Sequence, residues 1–372
     1  MINLPQDNIL EISLIGTGGG YGESIVIHLG EKNWVIVDSC INPKTKDCLP
    51  LKYLESKGVN IEKDVKLIIC THWHDDHILG ISKLFEYCKS SIFCMARTTD
   101  TKKFLQLVGL DHNKAKNEAS ASSTSEIQKC FDILYNRKTV LKGAEQDKLL
   151  FSLENNEINA KVYSLSPSDF VMNEFDKEIS TLISDYGCSN RKIIFQTPNE
   201  KSVALLICVN KHFILLGSDL EVSSDIRKGW LCILDNCQCI NLKKASLFKL
   251  PHHGSENSYH KRIWDELVLP NTIAKITPWN LGTKLPKDKM LETFLEHTEN
   301  LFITSLISNN NTAKKRERSI SKAISKFNNT LYEVKYNFGI VRSRLNLLND
   351  NEKWQTDLFG EAIKITKDKF AK

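Results

Sequence analysis

Between Thr71 and Gly80 the chain reads THWHDDHILG, with three histidines and two aspartates in the six residues from His72 to His77. Imidazole nitrogen and carboxylate oxygen are the donors that divalent transition metals prefer, and a catalytic site leaves one position open for water or substrate. In an extended segment His72 and His74 project the same way and can share one ion. Asp76 and His77 follow as the chain turns into a helix, which suits a second ion close by. Two ions roughly 3.5–4 Å apart can share a hydroxide and stabilise both the attacking and the leaving oxygen of a displacement. Such a pair needs donors from elsewhere. The chain offers Asp38 at the end of WVIVD, Asp219 at the end of FILLGSD, and His252 and His253 after LFKLP. A lone strand-terminal Asp is ordinarily a turn or cap residue, and a lone His a surface group. Beside an HxHxDH cluster at a strand-to-helix junction, a metal site is the better reading.

The positioning elements are readable as apolar runs. LEISLIG, SIVIHLG and NWVIVDSC read as short strands, KYLESKG as a helix stopped by Gly58, VKLIIC as a buried strand and ILGISKLFEYCK as a helix. Strands return with SVALLICV, HFILLGSD and ASLFKLPHHGS, the last two ending in ligand-type residues. LPKDKMLETFLEHT reads as a helix with Pro286 near its start, and LFITSL as a strand. From about 99 to 200 the pattern weakens. The Ser-rich NEASASSTSE precedes two helical segments, IQKCFDILYNRK and DFVMNEFDKEISTLI, and the region is read as an inserted or mobile segment. GTGGGYGE lacks the lysine of a phosphate-binding loop and leads into a strand, so it is read as a turn near the metal site. Trp73 is expected to pack or line the cleft rim, and Ser255 to cap the helix after it.

The 372 residues are 41% hydrophobic, enough for a large core, and no apolar run reaches the roughly 20 residues of a membrane span. A signal-peptide order is not seen, and a cytoplasmic location is expected. The 11 cysteines are scattered, several inside apolar runs where a reduced thiol behaves as a small hydrophobe. CQC at Cys237 and Cys239 suggests a thiolate metal site, but only Cys232 lies close and no second pair has zinc-finger spacing. The formal charge of +5 is mild for this size. Positive charge is concentrated in KKRERSISKAISK, where Lys314, Lys315 and Arg316 are candidate phosphate-facing residues; Arg342 and Arg344 follow on an expected strand.

With its HxHxDH segment after a buried strand, the chain resembles the metallo-β-lactamase fold hydrolases. ISLIGTGGGYGESIVIHLGEKNWVIVDSC, NEKSVALLICVNKHFILLGSDLE and LFKLPHHGSENS look like blocks of the hydrolase domain of ComEC-type competence proteins, here without membrane helices. The resemblance implies an αββα sandwich over residues 1–345, with the inserted segment at about 99–200 and a C-terminal tail at 346–372. It also implies that His72 and His74 bind a first ion, that Asp76 and His77 with His252 or His253 bind a second, and that Asp219 bridges them. Asp38 would orient the cluster, and Asp76 or the bridging hydroxide would handle the proton. Many such proteins add a histidine to the first ion; here that place reads NEKS, with Asn199 and Ser202, while His112 and His212 lie in other contexts. A weakly held first ion fits manganese or magnesium, or a single zinc.

The expected activity is hydrolysis of DNA or RNA by a metal-activated water. Alternatives are hydrolysis of a small ester, lactone or nucleotide, or a regulatory or assembly role in a complex such as a bacterial defence system, with the 99–200 segment as the partner-binding arm.

Overall fold

The computed structural model describes residues 3–18, 22–98, 103–108, 123–186, 198–241, 243–280, 282–306, 337–349 and 353–369. Sixteen strands are formed among them. They are β1 (Ile9–Gly18), β2 (Gly22–His28), β3 (Trp34–Val37), β4 (Val65–Cys70), β5 (Ile92–Ala96), β6 (Lys142–Ala144), β7 (Lys148–Glu154) and β8 (Asn159–Ser164), followed by β9 (Leu205–Val209), β10 (His212–Leu216), β11 (Ala245–Lys249), β12 (Val268–Ile276), β13 (Leu301–Ile303), β14 (Asn337–Asn346), β15 (Gln355–Gly360) and β16 (Ile363–Ile365). They build two eight-stranded sheets, ordered β15-β14-β1-β2-β3-β4-β5-β6 and β16-β13-β12-β11-β10-β9-β8-β7. Both sheets are mixed: β3 through β6 run parallel in the first, and β10 through β13 in the second.

The period of two in a strand explains the layering. Leu10, Ile12, Leu14, Ile25, Ile27 and Val35 of the first sheet share one buried cluster with Leu205, Ile207, Ile214 and Leu247 of the second. The residues of opposite parity, Val26, Ile36 and Ile68, face outward and join Leu54, Phe85, Leu134 and Phe175 from the helices Leu49–Lys57, Ile81–Tyr87, Ser123–Arg137 and Asp169–Tyr186. Beyond the second sheet, Leu206, Leu215 and Phe248 meet Trp230, Trp264 and Phe294 from the helices Gly229–Asn236, Lys261–Leu267 and Asp288–His297. The expected αββα sandwich is the architecture observed.

Two expectations are corrected. The 99–200 segment is not only helical, since β6 extends the first sheet and β7 and β8 extend the second. Residues 346–372, expected as a tail, contribute β15 and β16 to opposite sheets. These are short edge strands, β15 with no buried residue and β16 with one, so their apolar runs are diluted by polar residues and read poorly. Arg342 and Arg344 lie on β14, a strand as expected, and are neutralised within the fold: Arg342 pairs with Asp357 at 2.8 Å and Arg344 with the buried Glu11 at 2.8 Å. Lys314, Lys315 and Arg316 lie outside the described residues, as do His112 and Gly19 to Tyr21.

Candidate metal centre

Each suspected donor follows the C-terminal end of a parallel-paired strand. Asp38 follows β3 and His72 follows β4 in the first sheet; Asp219 follows β10 and His253 follows β11 in the second. The two sheets therefore deliver residues far apart in sequence to one rim. Holding them there costs backbone strain, because Asp38, Ser218, His252 and His253 all have left-handed φ, between 45° and 58°. The helix expected over 78–89 is interrupted: Asp75–Ile78 and Ile81–Tyr87 are separate helices hinged at Gly80, φ 84°. The short first helix carries Asp76 and His77 inward, both buried. Gly22, at the start of β2, has φ 97°, and a Cβ there would sit 1.5 Å from the Asp76 carbonyl oxygen, so the glycine-rich turn borders the site as expected.

The donors form two groups, Asp76, His77, Asp219 and His253, and His72, His74 and Asp219, within each of which all donor atoms lie within 4.8 Å of one another. Asp219 is common to both. Its Oδ1 lies 3.3 Å from His77 Nε2, and its Oδ2 lies 3.7 Å from His253 Nε2 and 3.8 Å from His72 Nε2. Asp76 Oδ2 lies 3.2 Å from His253 Nε2 and 3.4 Å from His77 Nε2. His77 Nε2 and Asp219 Oδ1 are fully buried yet make no hydrogen bond, the signature of atoms arranged for a partner other than protein. The donor set and these orphaned atoms fit divalent ions.

Outer groups fix the rings. Thr71 donates to Asp38 through its backbone N–H and its hydroxyl, both at 2.7 Å, and Asp38 Oδ2 lies 2.8 Å from His77 Nδ1. His253 Nδ1 donates to the Thr277 carbonyl at 3.0 Å. A carbonyl only accepts, so the Nδ1 proton is fixed and Nε2 is left to face the carboxylates. Burial lowers His72 and His74, keeping both imidazoles neutral. Burial would also lower His77, but Asp219 and Asp76 outweigh it and hold its pKa well above the usual histidine value. Asp76 and Asp219 resist burial through the neighbouring histidines and stay ionised.

His252, open as an alternative to His253, is in neither group. It lines the cavity instead, with Nδ1 3.1 Å from Glu221 and Nε2 3.4 Å from Asn199 Nδ2. His212 begins β10, at the opposite end of that strand from Asp219. The cavity has a volume of ≈ 600 Å³ and is walled by Trp73, His74, His252, Trp279 and Leu285. Trp73 is buried and stacks on Phe175 at 5.2 Å while lining this cavity, which satisfies both expectations for it. Ser255 precedes a 3₁₀ turn, not an α-helix, and its side chain makes no cap. Sequence reading missed Glu221, Trp279 and the buried Lys249–Glu23 ion pair. The signal available was position, since each lies within a few residues of a strand end on the rim.

Residues 17–102 match the model of the Metallo-beta-lactamase superfamily, and the two eight-stranded mixed sheets flanked by helices have that fold. None of the curated proteins compared with it matches the chain. Among solved structures, the metallo-beta-lactamase fold protein YhfI from Bacillus subtilis is 12% identical, with 65% of this chain and 70% of that chain covered and a TM-score of 0.32. Zn²⁺-bound PqqB from Methylobacterium extorquens is 10% identical over 64% of this chain and 71% of that one, with a TM-score of 0.31. AidC, a dizinc quorum-quenching lactonase, is 11% identical over 53% and 55%, with a TM-score of 0.29. No helix among the described residues is long and apolar enough to cross a membrane.

Proposed function

We propose that the protein is a metal-dependent hydrolase that cleaves phosphodiester bonds of DNA or RNA at a two-ion centre. The observation that carries this reading is the sharing of Asp219 between two donor groups, buried but for the part-exposed His74. His72, His74 and Asp219 would hold one ion; Asp76, His77, His253 and Asp219 would hold the other. When bound, such ions supply an activated water at neutral pH and neutralise charge on the phosphate and the leaving oxygen. Asp38 keeps a proton on His77 Nδ1 so that Nε2 faces the donors, and Asp76 would accept the proton of the attacking water. The first group has two histidines and, at the place of a third, Asn199, whose amide is engaged with Glu221 at 2.8 Å. A weaker first ion follows, which would fit Mn²⁺ or Mg²⁺ in that group, or a centre that holds a single tightly bound Zn²⁺.

A nucleic-acid substrate is supported by the resemblance to ComEC-type hydrolase domains and by the basic stretch containing Lys314, Lys315 and Arg316. A small ester, lactone or nucleotide is the second reading, favoured by a cavity of ≈ 600 Å³ whose walls include two tryptophans and a leucine, a size and lining suited to a small molecule. The deciding experiment measures bound metal, then cleavage of labelled single- and double-stranded DNA and RNA with Mn²⁺, Mg²⁺ or Zn²⁺, with His74→Ala as control. Metal-dependent strand cleavage that His74→Ala abolishes supports the nuclease. Bound metal with intact strands and turnover of a small ester or lactone supports the second reading.

A further inference from the structure

On the same rim of the sandwich, but three strand spacings from β10, lies a second convergence of donors. Asp147 sits in the turn between β6 and β7, and Cys237 and Cys239 follow the helix Gly229–Asn236. Adjacent strands are about 4.8 Å apart, so β7 lies roughly 14 Å from β10 across β9 and β8. The carboxylate and the two sulfurs lie within 4.8 Å of one another. Cys237 Sγ is 2.9 Å from Asp147 Oδ1 and 3.6 Å from Cys239 Sγ.

Two features show that this approach is built into the backbone. Asp147 has φ 59°, in the left-handed region, which turns its side chain toward the 237–239 turn. The backbone N–H groups of Gln238 and Cys239 both donate to its carboxylate, at 2.9 and 2.8 Å. The geometry also suits a particular ion. Zinc–sulfur bonds of about 2.3 Å at a tetrahedral angle place two sulfurs about 3.8 Å apart, close to the separation found here. Asp147 opens onto a surface cleft of ≈ 680 Å³, shared with Gln146 and Cys232, through which an ion can enter.

We propose that Asp147, Cys237 and Cys239 form a thiolate-rich site for a borderline-soft divalent cation, Zn²⁺ being the natural occupant, separate from the histidine–aspartate centre. Three protein donors leave a fourth position for water or for a further ligand. Each thiol loses its proton on binding, and two protons are released per ion. The site ties the β6–β7 turn to the segment after Cys237, so it clamps the edge of the second sheet.

Cobalt distinguishes the two centres, because only thiolate ligation produces sulfur-to-cobalt charge-transfer absorption. Full-length reduced protein titrated with Co²⁺ is expected to develop this absorption, to keep it in Asp219→Ala and to lose it in the double variant Cys237→Ser/Cys239→Ser. Asp147→Asn should weaken the titration about tenfold, as removal of a charged ligand would. Absence of the band in the wild type, or its persistence in the double serine variant, overturns the proposal. A second measurement needs no variant: saturating Zn²⁺ should slow alkylation of Cys237 and Cys239 about tenfold in peptide mass spectra. Equal rates with and without Zn²⁺ overturn it as well.

Discussion

Asp38 shows how much of this centre depends on a residue that belongs to neither donor group. It accepts two hydrogen bonds from Thr71 and one from His77 Nδ1, so it fixes both the ring orientation and the tautomer. Asp38→Asn keeps the shape but puts an amide where an acceptor is needed, and is expected to weaken metal binding or activity by about 10–100-fold. Metal titration at fixed pH checks this; unchanged affinity would reject the positioning role. His77 supports a second prediction. Its folded pKa is raised by Asp219 and Asp76 against the effect of burial, so the stability it contributes in metal-free protein is complete below about pH 6.5 and is lost as pH rises through the folded value. Above about pH 8 the buried Lys57, lowered by burial to about 8, adds the opposite slope. Denaturant midpoints of chelator-treated protein should therefore fall from pH 6.5 to 8, and added metal should remove that fall by displacing the proton. The cluster from His72 to His77 was legible because its donors are adjacent in the chain. The choice between His252 and His253 was not, because two successive left-handed residues aim their side chains by a backbone path that no periodicity encodes. The Asp147 contact with Cys237 and Cys239 spans about 90 residues, and spacing alone is blind to it.

At the level of elements, the strands buried on both faces were the legible ones. β4 and β9 are almost wholly apolar and buried and read as core strands, whereas β7, β8 and β15 carry exposed or part-exposed polar residues along their length and look like loop or tail. The break at Gly80 was hidden by an unbroken helical pattern, because the need for it is tertiary: a Cβ at Gly80 would lie 2.8 Å from the Ile41 side chain. The closest approach in the site is also made by a glycine. Gly22 combines φ 97° with direct backbone contact on Asp76, so Gly22→Ala must displace either β2 or the helix carrying Asp76 and His77. A loss of about 1–3 kcal/mol is expected, together with weaker metal binding. Chemical denaturation and metal titration of this variant separate the two effects. Wild-type affinity in a folded Gly22→Ala protein would show that the turn does not position Asp76.

At the scale of the whole molecule, the two sheets are joined by the end of the described chain. After β14 pairs with β1 along ten residues, β15 closes one edge of the first sheet and β16 crosses to β13 in the second. Trp354 donates to Ser246 Oγ at 3.0 Å and packs against the cluster between the sheets, and Ile365 is 1% exposed. Arg342 is buried, held by Asp357 and stacked on Phe359 at 4.6 Å, so removing β15 leaves its guanidinium without its partner. Ending the chain after Asn349 would therefore expose the unpaired edges of β14 and β13 and remove the burial of Trp354 and Ile365, each worth about 1.5–3 kcal/mol. The truncated protein should melt well below the full chain and aggregate on concentration. Because the candidate metal centre lies at the ends of β3, β4, β10 and β11, two or more strands inward from these edges, any truncated protein that remains folded should bind metal with near-wild-type affinity. Loss of binding in such a folded fraction would mean that closure of the sandwich edge, and not only the local strand ends, sets the geometry of the site.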